Sequence, residues 1–352
     1  MGRRNSSGSQ ISEGAEIKVS VSTKKPLLAV TPGDITGVGP EILVRVLAEG
    51  PREDCRILVV ADAEVMKAAY AALGVKFNLP VFKDVNEAAA SKVEAAIFDM
   101  ADGGKDILFI RKPHDKGGRL ALEALIKASE LALSKKVDGV VYAPLCKESL
   151  NYQGKKYGDE QYLLKEFLKA PNVRALAKIG NVFRITVVEH YALRKVPDMI
   201  IKQSVFSNIE TIHNALRAYG LESPRIAVAA LNPHASEHGL MGNEEAEEIT
   251  PAIEAARKKG INAIGPIPSD TVYVRAFKGQ FDGVVNLYHD QSQIALKAFG
   301  FGEIVIFYVN SPIVITTPSH GTAYGKAGKG LADYKNMRQA VELAAALAAR
   351  KK

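Results

Sequence analysis

Short apolar runs alternate with helical stretches along almost the whole chain after residue 25. The runs PLLAVTP (26–32) and CRILVVAD (55–62) are typical of buried strands, and each precedes a segment with apolar residues at helical spacing. The alternation continues through DGVVYAP, KIGNVFRITVVEH, RIAVAALNPH and FDGVVNLYHD to a C-terminal helix, MRQAVELAAALAARKK. This order predicts an α/β fold with a mostly parallel sheet between layers of helices, arranged at this length as two lobes.

Composition and charge narrow the classes of function. The net charge is +7, and residues 1–25 supply +3 of it from five Lys/Arg and two Asp/Glu in a polar, Ser/Gly-rich segment that we expect to be a disordered leader. Basic residues do not cluster with aromatic ones, so the sequence predicts no nucleic-acid partner, and the remaining charge fits an anionic small substrate at least as well. No apolar run approaches the roughly 18 residues of a membrane span. Two cysteines without CxxC spacing indicate a reducing, cytoplasmic location.

Three of the predicted strands end at a histidine. His190 follows NVFRITVVE, His234 follows RIAVAALNP, and His289 follows FDGVVNLY. Ligands of open α/β sheets bind beyond the carboxyl ends of the strands, and three imidazoles are a good ligand set for a divalent transition metal. Glu189 and Asp290 could orient the rings or complete the ligand set. The alternative is that each histidine has an independent role in a loop or in the core.

Two glycine-rich segments are candidates for binding a nucleotide. TPGDITGVGPEI (31–42) joins a strand to a helix but has Ile42 at the third glycine of a GxGxxG pattern, and Asp62 follows at a distance that suits a ribose. The alternative for this segment is a simple tight turn. SHGTAYGKAGKGLAD (319–333) could wrap a nucleotide with its backbone or could be a flexible surface loop, and its composition does not separate the two.

Several segments together resemble the 4-hydroxythreonine-4-phosphate dehydrogenase family, within the wider group of isopropylmalate- and isocitrate-type β-decarboxylating dehydrogenases. They occur in the family's order over nearly the whole chain after residue 25. The matching segments are TPGDITGVGPE (31–41), LNPHASEHGLMGNEE (231–245), GPIPSDTVY (265–273), LYHDQ (287–291) with Lys297, and HGTAYGKAGKGLAD (320–333).

The resemblance implies two α/β/α lobes of the isopropylmalate-dehydrogenase type, with an active site in the cleft that the partner of a homodimer completes. It implies a cofactor-side lobe of residues 26–140 and 300–352, and a lobe of residues 141–299 that binds metal and substrate and forms the dimer. The implied metal ligands are His190, His234 and His289. The implied contacts of NAD or NADP are His320, Gly321, Thr322, Ala323, Lys326 and Gly328.

The substrate region departs from the family's pattern. Members usually have Gly-His-Thr-Glu where this chain has Gly158-Asp159-Glu160-Gln161, so carboxylates replace groups that contact the phosphorylated substrate. The family's substrate lysine is kept as Lys297, whereas its substrate asparagine and arginine fall on Ile306 and Ile315. Because charge-assisted bonds to phosphate are lost, we expect a non-phosphorylated polyol, amino alcohol or hydroxy acid to be a better substrate than 4-hydroxythreonine 4-phosphate.

The expected reaction is the metal-dependent oxidation of a hydroxyl group by NAD or NADP, with decarboxylation where the product is a β-keto acid. Zinc, cobalt, nickel, manganese or magnesium could serve as the ion. Asp270, Asp290 and Lys147 are candidates for proton transfer or for supporting roles, and structural hydrogen bonding is the alternative for each. Gly325 stands where NAD-preferring relatives carry an aspartate, and Lys326 follows it, which predicts that NADP is used at least as well as NAD. A metal-dependent lyase or hydrolase without nicotinamide, and a non-catalytic binding protein, remain alternatives.

Overall fold

The computed structural model describes residues 25–152, 154–157, 160–300 and 302–350, so the predicted leader lies outside it apart from Lys25. The strands in chain order are β1 (Leu27–Thr31), β2 (Arg56–Ala61), β3 (Val81–Phe82), β4 (Ala95–Asp99), β5 (Gly139–Tyr142), β6 (Asn151–Tyr152), β7 (Lys155–Lys156), β8 (Arg174–Ile179), β9 (Val182–Val188), β10 (Ile226–Ala229), β11 (Ala263–Ile267), β12 (Gly283–Tyr288), β13 (Val305–Val309) and β14 (Ile315–Pro318). The α-helices are α1 (Gly39–Ala48), α2 (Ala63–Ala72), α3 (Val85–Ala90), α4 (Asp115–Leu133), α5 (Glu160–Phe167), α6 (Val196–Met199), α7 (Lys202–Tyr219), α8 (Thr250–Lys258), α9 (Ser269–Phe277), α10 (His289–Gly300) and α11 (Lys335–Arg350).

One twelve-stranded sheet runs through the whole fold, in the order β11-β10-β12-β9-β8-β13-β14-β5-β1-β2-β4-β3. The strands from β14 to β3 are parallel to one another, and so are those from β9 to β11. The two parallel halves meet through three antiparallel pairings, β9 with β8, β8 with β13, and β13 with β14. Because that number is odd, the halves run in opposite directions. The predicted α/β class with a mostly parallel sheet is confirmed, whereas the lobe boundaries near residues 140 and 300 stay a prediction.

The hairpin of β8 and β9 was not foreseen. The run KIGNVFRITVVEH reads as one strand, but the chain reverses at Gly180 and Asn181, where Gly180 has φ +51°. A two-residue connection with a glycine at positive φ matches the twist of antiparallel strands. The predicted strand NVFRITVVEH corresponds to β9, and the reversal before it produces one of the antiparallel pairings in the middle of the sheet.

Buried strands with helices on both faces account for the apolar runs. All five residues of β1 are buried. Leu28 and Val30 pack in the cluster that contains Ile42 of α1, while Leu27 and Ala29 pack in a second cluster with α4. Burying each large aliphatic side chain contributes about 1.5–3 kcal/mol before conformational entropy is subtracted. Within the ranges given above, no helix has both the length and the apolar character needed to cross a membrane.

The turn after β1 presses against the chain that leaves β5. Gly33 has φ +63°, and the backbone N–H of Asp34 donates to the carbonyl oxygen of Pro144 over 2.9 Å. A Cβ atom at Gly33 would lie 2.3 Å from the carbonyl oxygen of Ala143. The glycine is therefore required both by its left-handed backbone and by the close approach of a second segment.

The carboxylate of Asp62 caps the start of α2, which is not the ribose contact that the sequence suggested. Its Oδ1 accepts hydrogen bonds from the backbone N–H groups of Glu64 (2.8 Å) and Val65 (3.0 Å), and its Oδ2 accepts one from Gly103 over 2.8 Å. This is the bonding of a helix N-cap residue. The carboxylate is already engaged, so the ribose hypothesis for Asp62 loses its support.

We predict that Gly33→Ala lowers the free energy of unfolding by more than about 2 kcal/mol, because left-handed strain and a backbone clash add together. Gly74→Ala is the matched control, since Gly74 has φ +66° but no atom within 4 Å of an added Cβ. Urea unfolding followed by circular dichroism measures both variants. An equal loss of unfolding free energy in the two variants would show that the close approach to Ala143 does not contribute to the effect.

We also predict that Asp102→Asn stabilises the protein at pH 8 and not at pH 4. Burial, with the charge of Asp62 nearby, raises the pKa of Asp102 from 3.8 to about 6. The folded state then binds more protons than the unfolded state, so the contribution of Asp102 to stability is present below pH 3.8 and is lost as the pH rises through about 6. Thermal midpoints at the two pH values check this, and a variant less stable than the parent at pH 8 would contradict it.

Candidate active site

A cavity of about 740 Å³ lies over the antiparallel middle of the sheet. Its floor includes Ala175 of β8, Ile306 and Tyr308 of β13, and Thr317 of β14. Its walls come from the segments that follow β5, β9 and β14 and from the start of α10. Segments from both oppositely directed halves of the sheet therefore reach one cleft, as the two-lobe prediction requires.

His190 and His289 come together in this cavity. They follow the neighbouring strands β9 and β12 by two residues and one residue, and their ring centroids lie 5.6 Å apart at an interplanar angle of 48°. Nδ1 of His289 hydrogen-bonds Oδ1 of Asp290 over 2.7 Å. A carboxylate on one ring nitrogen fixes the other nitrogen for metal binding, so this pair fits two positions of a metal site.

His234 does not join that pair within a single chain. It lies five residues beyond the end of β10, its side chain is 68% exposed, and it is not among the residues that line the cavity. No group of three or more His, Cys, Asp or Glu residues in the described ranges could hold a metal ion. The predicted three-histidine set is therefore not formed inside one chain, and it stays a prediction that needs a donor from elsewhere.

The turn that carries His234 is strained and firmly held. Residues 234–238 all have positive φ, between 46° and 62°, although none is a glycine. Each such residue costs about 1–2 kcal/mol. The buried carboxylate of Glu245 accepts hydrogen bonds from the backbone N–H groups of Leu231 and Asn232 over 2.8 Å each. The Asn232 amide in turn donates to Glu244 over 2.7 Å, and these bonds fix the base of the turn.

Only one of the three proton-transfer candidates lines the cavity. Lys147 does so, at an exposed position in the short helical turn after β5. Asp270 is exposed in the first turn of α9 and lines a separate groove together with Asp290, although the Asp290 carboxylate reaches His289. Neither Asp270 nor any other residue of α9 is among the residues that line the cavity of this chain.

The predicted substrate-binding residues do not all line the cavity. Glu160, the first residue of α5, lines the cavity. Asp159 lies outside the described residues. Lys297 is exposed in the last turn of α10 and does not line the cavity. Ile306 forms part of the floor and Ile315 is fully buried, so both positions are apolar as the sequence indicates.

A buried polar chain beneath the histidines was missed. Arg184, 4% exposed, lines the cavity, and its Nη1 donates to Oγ1 of Thr186 over 2.8 Å and to Oε1 of Glu189 over 3.0 Å. Asn286 donates to the same Thr186 hydroxyl over 2.9 Å and accepts from the hydroxyl of Tyr273 over 3.1 Å. The available signal was a lone arginine inside an apolar strand, because a buried charge must be paired.

Two tyrosines form a hydroxyl pair in the wall. Tyr142 is 1% exposed, and its hydroxyl lies 2.7 Å from that of Tyr308. Burial, together with Tyr308 and Glu160, raises the pKa of Tyr142 well above its ordinary value. The Tyr142 side chain is therefore a neutral hydrogen-bonding group at physiological pH.

The start of the second glycine-rich segment faces the cavity. His320, Gly321 and Thr322 line it, whereas Ala323, Lys326 and Gly328 follow further along the segment. Burial lowers the pKa of His320, and its buried Nε2 has no hydrogen-bond partner among the described residues. An orphaned imidazole nitrogen beside a cavity suits a polar group of a bound cofactor.

Hydrogen bonds hold this segment against the first glycine-rich segment, so it is not a flexible surface loop. The backbone N–H of Val38 donates to the carbonyl oxygen of Thr322 over 2.9 Å, and the hydroxyl of Tyr324 donates to Oδ2 of the fully buried Asp34 over 3.1 Å. The backbone N–H of Ala332 donates to the buried carboxylate of Glu41 over 2.9 Å. The two segments 31–42 and 319–333 therefore form one rigid wall.

Comparison with known proteins supplies relatives of similar length. A protein of Geobacter metallireducens named 4-hydroxythreonine-4-phosphate dehydrogenase is 37% identical over 326 residues, which cover 92% of this chain and 96% of the relative. The crystal structure of 4-hydroxythreonine-4-phosphate dehydrogenase from Klebsiella pneumoniae has a TM-score of 0.81 and 33% identity, covering 92% of this chain and 98% of that one. The Burkholderia phymatum enzyme of the same name gives a TM-score of 0.77 and 33% identity, covering 92% and 99%.

The family match agrees with this result. The family described as pyridoxal phosphate biosynthetic protein PdxA matches residues 53–344, which include the imidazole pair, the strained turn and the second glycine-rich segment. The relatives named above are dehydrogenases and extend over almost the same length. The chain therefore belongs to the PdxA family.

Proposed function

We propose that the protein is a metal-dependent, NAD(P)-linked dehydrogenase that oxidises a hydroxyl group of a small hydroxy acid or amino alcohol, with decarboxylation where the product is a β-keto acid. The observation that carries the proposal is the cavity itself. It is lined both by the His190–His289 pair and by His320, Gly321 and Thr322 at the start of the fastened glycine-rich segment. An imidazole pair suited to a metal and a backbone surface suited to a nicotinamide therefore share one cleft.

The metal proposal requires a second copy of the chain. His190 and His289 supply two imidazoles, and we assign the third to His234 of the partner subunit in a homodimer. The exposed His234 on its fixed turn supports this, as does the apolar groove lined by Val274, Ile294 and Phe299, which a partner would cover. When bound, such an ion acts as a Lewis acid on the hydroxyl that is oxidised.

The chain's own residues supply orientation and proton handling. Asp290 fixes the ring of His289 through the 2.7 Å hydrogen bond, and Lys147 stands in the cavity where it can exchange the proton of the substrate hydroxyl. The wall that begins at His320 would hold the nicotinamide, and Tyr324 fixes that wall through Asp34. Asp270 and Lys297 lie outside the cavity of their own chain, so a role for them in the reaction requires the cleft of a second copy beside α9 and α10.

We predict that His289→Ala abolishes NADPH formation and lowers bound metal, because one of two imidazoles in the chain's own site is lost. Initial rates and elemental analysis of the purified protein measure both effects, and circular dichroism checks the fold. His213→Ala is the control, since His213 lies on α7 and does not line the cavity. Near-normal turnover in His289→Ala would contradict the metal proposal.

We predict that kcat/KM with NADP is at least equal to that with NAD, because Lys326 can pair with the 2′-phosphate and no carboxylate stands at Gly325. Gly325→Asp should move the preference toward NAD by at least about tenfold. Lys278→Ala at the end of α9 removes an exposed charge elsewhere and is the control.

A tenfold or greater preference of the parent protein for NAD would contradict the NADP prediction. The chain has no tryptophan, so NADPH binding can be followed by the fluorescence of NADPH without protein background from that residue. Absence of any binding would favour the lyase or hydrolase alternative over a dehydrogenase.

A further inference from the structure

A second cavity, of about 670 Å³, lies on the other face of the sheet from the candidate active site. It is lined by Arg174 of β8, by residues of α7 and by the segment that joins α5 to β8. Side chains alternate between the two faces along a strand. Arg174 therefore shares a face with Leu176, which packs against α7, whereas Ala175 between them lies in the floor of the candidate active site.

The proposed homodimer leaves the second cavity to one chain. The groove that we assign to the partner lies between α9 and α10, and residues of these helices, Val272 and Leu296, pack with Ala177 on the face opposite α7. A partner seated on α9 and α10 would stand on the far side of the sheet. The charges of the second cavity are therefore those of the single chain.

Arg174 is held in place by neutral acceptors. Its Nη2 donates to the carbonyl oxygen of Thr186 over 3.0 Å and to Oδ1 of Asn208 over 2.8 Å. Asn208 is 2% exposed, and its Nδ2 donates to the carbonyl oxygen of Ser204 over 2.7 Å, so the acceptor is itself fixed. Desolvation by burial holds the pKa of Arg174 below its ordinary value. The guanidinium is therefore preorganised, partly desolvated and without a counter-ion in contact.

Arg174 keeps hydrogen-bond donors for a ligand. Both of its hydrogen bonds use Nη2, and Nε and Nη1 have no partner in the described part of the chain. Neither nitrogen is among the enclosed side-chain atoms that lack a partner, so both stay accessible. A guanidinium with two accessible nitrogens can bind two oxygens of a phosphate group at once.

The second cavity has a surplus of positive charge. Among its described lining residues, Lys165 and Arg174 are the Lys and Arg side chains and Glu210 is the carboxylate. Glu210 pairs with Lys259 over 2.9 Å, whereas the salt bridges between described residues include none from Lys165 or Arg174. Neutral side chains that form hydrogen bonds supply most of the remaining lining: Asn172, Ser207, Thr211, Asn214 and Asn310.

We propose that the second cavity binds the phosphate group of a small phosphorylated metabolite, with Arg174 and Lys165 as the charged ligands. A guanidinium, an ammonium group and neutral donors are the set that binds phosphate in proteins. The volume lies within the range of small-molecule sites. The proposal does not depend on the proposed dehydrogenase function, because the two cavities share no lining residue.

The probe for the test is inorganic phosphate, and the measurement is the thermal midpoint of the full-length protein as phosphate replaces chloride at constant ionic strength. A ligand that binds only the folded state raises the midpoint with its concentration. We expect a dissociation constant on the order of 1 mM from a few charge-assisted hydrogen bonds. A midpoint that does not rise up to about 50 mM phosphate would overturn the proposal.

Variants separate binding in the second cavity from the general stabilisation of folded proteins by phosphate. Lys165→Gln and Arg174→Gln should each weaken phosphate binding by at least about tenfold. Lys169→Gln removes a charge from a nearby exposed position outside the cavity and should leave binding unchanged. Lys165 contacts the ring of Tyr162 from the surface, so Lys165→Gln should fold even if the loss of Arg174 disturbs β8.

Two results with these variants would contradict the proposal. An unchanged response to phosphate in both Lys165→Gln and Arg174→Gln would mean that phosphate binds elsewhere. An equal loss in Lys165→Gln and Lys169→Gln would mean that only the net charge of the protein matters.

Crystals soaked in tungstate, a phosphate analogue with strong anomalous scattering, locate the anion directly. We expect anomalous density within hydrogen-bond distance of the Arg174 guanidinium in the parent protein and its loss in Lys165→Gln. Density in the candidate active site alone, or an adventitious ion only at the protein surface, would overturn the proposal.

Discussion

The antiparallel middle of the sheet is the constraint on which the cleft depends. β8 and β13 stand between two parallel halves, and three antiparallel pairings make those halves run in opposite directions. In a sheet of one direction, all loops after the strands would gather at one edge. Here segments after β5 and β14 from one half meet segments after β9 and β12 from the other, over the floor made by β8 and β13. Opposite strand directions alone would put these segments at opposite edges, so the cleft depends on β8 and β13, which form its floor between the two halves.

The sequence predicted the features that a local pattern of residues determines. It did not predict the places where the backbone conformation of a few residues changes the direction of the chain. Strand and helix positions followed from the alternation of apolar runs, and His190 and His289 lie in one cleft because they follow neighbouring strand ends within two residues. His234 follows its strand by five residues, and the left-handed backbone from 234 to 238 carries it to the surface. No propensity predicts five consecutive non-glycine residues in that conformation. The hairpin at Gly180 differs, because a Gly-Asn pair between two apolar runs is a local signal for a two-residue hairpin connection.

Buried polar residues in apolar strands were visible in the sequence but their partners were not. Arg184 and Thr186 in β9 and Asn286 in β12 are fully or almost fully buried. Nη1 of Arg184 donates to Thr186 and Glu189, and Asn286 donates to Thr186 across the β9–β12 pairing, whereas Nε of Arg184 has no partner among the described residues. Removing Glu189 would leave a buried guanidinium without its ion-pair partner at a cost of several kcal/mol, whereas the register of β9 against β12 decides whether Asn286 reaches Thr186. Only the tertiary pairing reveals the second partner of the Thr186 hydroxyl, because Asn286 lies 100 residues from Thr186 in the chain.

Buried carboxylates hold both the strained turn and the glycine-rich wall in place by accepting hydrogen bonds. Glu245 holds the base of the turn before His234, and Asp34 and Glu41 hold the wall that begins at His320. In each case a carboxylate with little or no exposure accepts bonds from the chain that must stay in place. A backbone that includes left-handed non-glycine residues is stable only where several surrounding contacts hold it in that conformation. The placement of these carboxylates therefore fixes His234 at an exposed position, which is the position that the proposed homodimer uses for the third metal ligand.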